Sequence, residues 1–157
     1  MEPLEKRALI VCSLVDASGN ALRIHDFYYE FPQTNSGDDA DWICCKMTIE
    51  TTVLKKTVNG FLRAEEVTEL ITKMTTALDS LLPEDLTFEP MEPYLELSIT
   101  RKDDGIFQPD EIVVTSRLDL HPCLGPVIEY SLECSLESVR NFVSELNSVA
   151  EAFPPRQ

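Results

Sequence analysis

Between Phe61 and Leu82 the apolar residues fall on a single stripe. Leu62 leads, and Val67, Leu70, Ile71, Met74, Leu78, Leu81 and Leu82 follow at the spacing of one α-helical face. Glu65, Glu66, Glu69, Lys73, Thr75 and Asp79 take the opposite face. Asn59 and Gly60 punctuate the start and Pro83 stops the run, so the pattern predicts a helix over residues 62–82. A helix this one-sided is held by what its stripe lies on rather than by its own propensity. The rest of the chain must therefore supply an apolar surface.

Most of the rest reads as strands. Residues 8–15 are rich in Leu, Ile and Val, and Asp16-Ala17-Ser18-Gly19-Asn20 is a turn by composition. Residues 21–31 read as a second strand, with Leu22, Ile24 and Tyr28 on alternating sites and Pro32 as its stop. Residues 33–41 are polar and read as a loop. A third strand follows over 42–53, with Ile43, Cys45, Met47, Ile49 and Thr51 on one side and Cys44, Lys46, Thr48 and Glu50 on the other. That period of two marks a sheet with one wet face. Residues 52–58 read as a short further strand. Beyond the helix, strands are read at 86–89, 94–101, 111–120 and 127–134, with hairpin-like spacings that favour antiparallel pairing. Ser135 then reads as an N-cap, and Leu136, Val139, Phe142, Val143, Leu146, Val149, Ala150 and Phe153 form a second helical stripe closed by Pro154-Pro155.

These elements predict an α+β fold. A mostly antiparallel, twisted sheet of six to seven strands carries both helices, over about 62–82 and 136–153, on one face. The opposite sheet face is expected to be wet and largely acidic. No internal repeat, linker or low-complexity segment is visible, so residues 1–157 read as one domain. A chain of this length buries roughly 70% of its extended surface and needs no staple. The five cysteines, at 12, 44, 45, 123 and 134, show no CxxC spacing and sit mostly inside strands. They read as reduced, buried thiols. No signal-peptide or membrane-spanning pattern is read, so a cytoplasmic, soluble protein is expected.

Charge narrows the function classes. The 28 acidic and 13 basic residues give a formal charge of −15. Such a surface repels nucleic acid and anionic membranes and attracts basic partners, although solubility alone also favours it. No constellation for catalysis converges. His121 and Cys123 make a lone pair without further metal ligands at zinc spacing, and a hydrolase built on them is a weak reading. Asp38, Asp39 and Asp41 share a loop but lack a calcium-loop pattern. No metal or cofactor is expected, and no enzyme.

The candidate partner-binding residues form two acidic patches. Asp38, Asp39 and Asp41 lead into Trp42, the only tryptophan, and Glu89, Glu92 and Glu96 make the second patch. An aromatic anchor inside an acidic rim is how a hot spot for a basic partner looks. The plainer reading makes Trp42 a packing residue and the second patch a solvated sheet face.

The order of these pieces resembles the WapI-like immunity family. Phe31-Pro32, an acidic loop and Asp41-Trp42-Ile43 opening a strand carry the likeness. So do Asn59-Gly60-Phe61-Leu62 leading to a helix with Glu66, Glu69 and Leu70, then Leu86-Thr87-Phe88-Glu89-Pro90, and a final helix closing on Phe153-Pro154-Pro155-Arg156. The Asp41-Trp42-Ile43 triplet departs from the family's Asn-Trp-Leu, and no tryptophan marks the end of the first helix. The resemblance implies a cytoplasmic immunity protein, monomer or homodimer, that occludes a secreted polymorphic toxin, typically a basic nuclease domain, through its acidic surface. The alternative is an acidic structural or adaptor protein that binds another basic partner without catalysis.

Overall fold

The computed structural model describes residues 9–33, 37–79, 85–102, 110–121 and 124–156. Four strands come first: β1 (Cys12–Val15), β2 (Ala21–Tyr29), β3 (Trp42–Glu50) and β4 (Lys55–Arg63). They precede α1 (Ala64–Asp79). Four more follow, β5 (Leu86–Phe88), β6 (Leu95–Lys102), β7 (Glu111–Asp119) and β8 (Val127–Ser135), and then α2 (Leu136–Ala152). The α+β class and the antiparallel pairing hold, with two corrections. The described residues hold eight strands, and these form two four-stranded sheets, β1-β2-β3-β4 and β5-β6-β7-β8, rather than one. The architecture thus runs through four strands and a helix twice, although the sequence shows no repeat.

Each helix touches both sheets. α1 lies on β4 and on β5 and β6, α2 lies on β1 and on β7 and β8, and the helices pack against each other. The stripes explain this: Val67, Leu70, Met74 and Ala77 of α1 and Val139, Phe142, Leu146 and Val149 of α2 are buried. They join inward residues of both sheets, among them Leu22, Ile24, Met47, Leu97, Ile99 and Val114, in one continuous core.

The first helix begins later than its stripe predicts. Asn59, Gly60, Phe61 and Leu62 belong to β4, which is nine residues long and far exceeds the short strand read at 52–58. Gly60 is no helix-start punctuation. It lies under Met47, whose sulfur would stand 2.9 Å from any added Cβ, with Tyr94 at 3.4 Å. The predicted end of this helix, residues 80–82, lies outside the described residues. Its last described turn is capped from the second sheet, where Arg101 donates to the carbonyls of Ala77 and Leu78 at 2.8 and 2.9 Å. α2 starts as expected, with the Ser135 hydroxyl accepting from the Ser138 N–H at 3.1 Å.

The second strand changes phase partway along. His25 pairs with Lys46 and Tyr28 with Cys44, so Asp26 and Phe27 together face one residue of β3. Asp26 takes a left-handed backbone (φ 56°) in this β-bulge. The extra residue turns Phe27 and Tyr29 inward and leaves Tyr28 exposed, contrary to the uninterrupted alternation. At the sheet's edge, β1 is covered by α2. Glu145 accepts from Ser13 N–H at 2.9 Å, and Ser138 both accepts from Val15 N–H and donates to its carbonyl.

Candidate functional site

The bulge gives the outer face of the first sheet two different ends. One end carries Arg23, His25, Lys46 and Lys55 around a depression of about 600 Å³. Its cations are paired: Arg23 with Glu50 at 2.9 Å, Lys55 with Glu50 at 3.5 Å, and Lys46 with Asp26 at 3.4 Å. This half of the wet surface is mixed in charge, not largely acidic as expected. The reason is local: His25 and Lys46 are cross-strand partners, and Arg23 and Lys55 converge on Glu50.

The other end is acidic and aromatic. Past the bulge, Tyr28, Cys44 and Phe61 form one cross-strand row, and Trp42 pairs with Arg63 in the next. The guanidinium of Arg63 lies over the Trp42 ring at 5.8 Å and pairs with Glu65 at 2.6 Å. The β2–β3 connection leaves this corner and returns through a 3₁₀ turn, Asp38–Asp41. From the second half of the chain the β5–β6 connection, residues 89–94, comes alongside, with Tyr94 6.1 Å from Phe61. Between the two connections lies a cleft of about 290 Å³ lined by Glu30, Phe31, Asp39, Trp42, Phe61 and Glu92.

Three carboxylates therefore share one aromatic-walled space. Glu30 registers the crowding: burial first, then Asp39 and Glu92, push its carboxyl above the usual glutamate range. A cation entering this space would relieve all three, and the aromatic faces would add to the attraction.

The structure thus joins residues that the sequence offered as two patches. Asp39, Trp42 and Glu92 meet in the cleft. Asp41 does not face it. It is buried, and its Oδ1 accepts from the backbone N–H of Arg156 at 2.7 Å. Glu96 lies on the wet face of the second sheet opposite Arg117, and Glu89 is exposed beside β5. The side chain of Asp38 lies outside what is described. Sequence reasoning missed Glu30, Phe31 and Phe61. It also assigned Glu66 to the polar face of α1. Glu66 is buried, and its carboxylate accepts from Arg63 N–H at 2.7 Å and from Met91 N–H at 2.6 Å. It thereby ties the start of α1 to the β5–β6 connection next to Glu92.

The same two connections and the chain's closing segment include the short motifs that carried the family resemblance. The sequence model of the WapI-like immunity protein family matches residues 13–154, nearly the whole chain. The chain belongs to the WapI-like immunity protein family. Membership brings the family's role, toxin neutralisation, and with it a protein partner. No curated protein matches the chain. The solved structure of the plant transcriptional regulator PBF-2 is similar over 93% of this chain and 82% of that one, at 10% identity and a TM-score of 0.43.

Among the described residues no group of three or more His, Cys, Asp or Glu side chains could hold a metal ion. No described helix is long and apolar enough to cross a membrane. Cys12, Cys44, Cys45 and Cys134 are free and buried, and burial pushes all four thiols up, Cys12 and Cys134 to about 12. Thiols held protonated are poor nucleophiles. Cys123, partner of His121 in the hydrolase reading, lies outside the described residues.

Proposed function

We propose that this immunity protein acts in the cytoplasm by stoichiometric occlusion of a basic toxin domain, of the nuclease kind, and performs no reaction of its own. The observation that carries the reading is the cleft, where Glu30, Asp39 and Glu92 stand among Phe31, Trp42 and Phe61. It fits one arginine or lysine side chain of the toxin: carboxylates neutralise the head and the rings pack its stem. The charge of −15 attracts a basic toxin and raises the on-rate. In this reading Asp39, Trp42 and Glu92 touch the partner, Asp38, Glu89 and Glu96 belong to the surrounding acidic field, and Asp41 serves the fold.

The test is charge reversal at Asp39 and Glu92 together, with binding to the cognate toxin domain followed by surface plasmon resonance. Both residues lie at the cleft's rim rather than in the core, so the melting temperature should hold. Affinity should fall at least about a hundredfold, since each reversed charge at such a contact costs on the order of 1–3 kcal/mol. A double variant that binds and protects like the parent would remove the cleft from the interface.

A further inference from the structure

Among the described residues, Trp42 opens β3 and pairs with Arg63, whereas the part of the cleft wall that carries Phe31 and Asp39 has almost no hydrogen-bond ladder of its own. At its base the Glu30 N–H donates to the Trp42 carbonyl at 3.0 Å, and Ala40 N–H closes the 3₁₀ turn on Gly37 at 3.2 Å. The carbonyls of Phe31, Pro32 and Ala40 instead point to one side chain from the far end of the chain. Arg156 donates from Nη2 to Phe31 at 2.9 Å, from Nη1 to Pro32 at 3.3 Å and from Nε to Ala40 at 2.9 Å. Its backbone N–H holds the buried Asp41 carboxylate. Its guanidinium stacks on Tyr29 at 3.6 Å, and the Tyr29 hydroxyl donates to the Pro154 carbonyl at 2.9 Å. A planar fork of N–H groups can reach three carbonyls at once, whereas an ammonium is a point donor on a flexible stem.

We propose that Arg156 is the positioning residue of the cleft. It fixes the β2–β3 connection so that Phe31 and Asp39, beside Trp42 at the start of β3, already face Glu92 before a partner arrives. The benefit to binding rests on the function proposed above; the fixing of the wall does not. A connection ordered in advance loses less entropy on binding, so the partner meets a preformed receptor.

Trp42 is the only tryptophan, so fluorescence excited beyond the tyrosine band reads this wall alone. The full-length protein is compared with Arg156→Ala and Arg156→Lys by acrylamide quenching, well below the melting transition, and by titration with a blocked hexa-arginine peptide at low salt. In Arg156→Ala the quenching constant should rise about twofold as the wall opens locally. Affinity for the peptide should fall about tenfold although Glu30, Asp39 and Glu92 are untouched. Arg156→Lys should recover less than half of either effect. Leu146→Ala, a buried change in α2, controls for lost stability and should leave quenching as in the parent. Unchanged quenching in both Arg156 variants overturns the proposal, as does an equal rise in Leu146→Ala. Should Arg156→Ala fail to fold, Arg156→Lys decides, because it keeps a positive charge on a long stem and loses only the planar fork. If the parent takes up no peptide while quenching still rises in the variants, Arg156 holds the wall and it is the cleft's binding role that fails.

Discussion

The two walls of the cleft are held by opposite means. The β2–β3 connection is fixed by a cation, Arg156, which gives N–H donors to loop carbonyls. The β5–β6 connection is fixed by an anion, Glu66, which gives acceptor oxygens to the N–H groups of Met91 and Arg63. Both solve the same problem, since irregular backbone that leaves water must find partners outside a ladder. They differ in reach. Glu66 sits in the first turn of α1, next to Arg63 and 25 residues from Met91, so its wall is built with the helix. Arg156 lies 116 to 125 residues from the carbonyls it binds. The first wall therefore depends on the end of α2 being docked, and the second does not.

The largest expected effect comes from breaking that docking. Phe153 ends α2, is fully buried, and packs on Tyr29 edge-on at 5.0 Å and on Phe27 at 6.4 Å. Phe153→Ala should cost about 3–5 kcal/mol in a denaturant melt, as buried Phe truncations do. It should also raise Trp42 quenching, because Arg156 loses its anchor. Glu66→Ala strikes the other wall. It leaves two backbone donors without their charged acceptor and should cost about 3 kcal/mol, with Trp42 quenching near the parent value. Glu66→Gln keeps one acceptor and should cost about 1 kcal/mol. If Phe153→Ala and Glu66→Ala disturb Trp42 equally, the two walls are one mechanical unit and the contrast is wrong. Tyr29→Phe is milder still. It removes only the bond to the Pro154 carbonyl, a neutral contact of about 1 kcal/mol.

The sequence reveals which faces are buried far better than what lies across from them. The α2 stripe and its Ser135 cap were legible because the apolar period and the capping residue agree. The division into two sheets was not, because alternation says which side of a strand is apolar and not which neighbour it bonds. Asp26 hides the bulge, being an ordinary polar residue at a position where the phase shifts. Phe61 was taken for the start of a helix because Asn59-Gly60 resembles punctuation. In fact Gly60 permits a close approach inside a long strand, and Phe61 turns outward into the cleft. Asp39, Trp42 and Glu92 were found through charge and aromaticity, but only the fold brings residues from 39–42 and 92 together. Glu66 could not be separated from its acidic neighbours on α1, since its partner is a backbone N–H 25 residues away.

The smallest effect has the most informative sign. Glu30 stands between the walls, with its carboxyl pushed up by burial and then by Asp39 and Glu92. A group whose folded pKa lies above its unfolded one contributes stability at low pH and loses it as pH rises through the folded value. Ionised Glu30 therefore opposes folding at neutral pH. Glu30→Gln should stabilise the protein at pH 7 by a few tenths of a kcal/mol after screening, and the gain should vanish below about pH 3, where nearly all of the side chain is neutral in both states. The same change should weaken binding of a cationic partner, because it removes one of the three charges that the partner would neutralise. Opposite signs in the melt and the titration identify a carboxylate kept for recognition at the expense of the fold. A Glu30→Gln variant that is less stable at pH 7, or that binds as tightly as the parent, would mean that the charge on Glu30 serves the structure of this corner and not its partner.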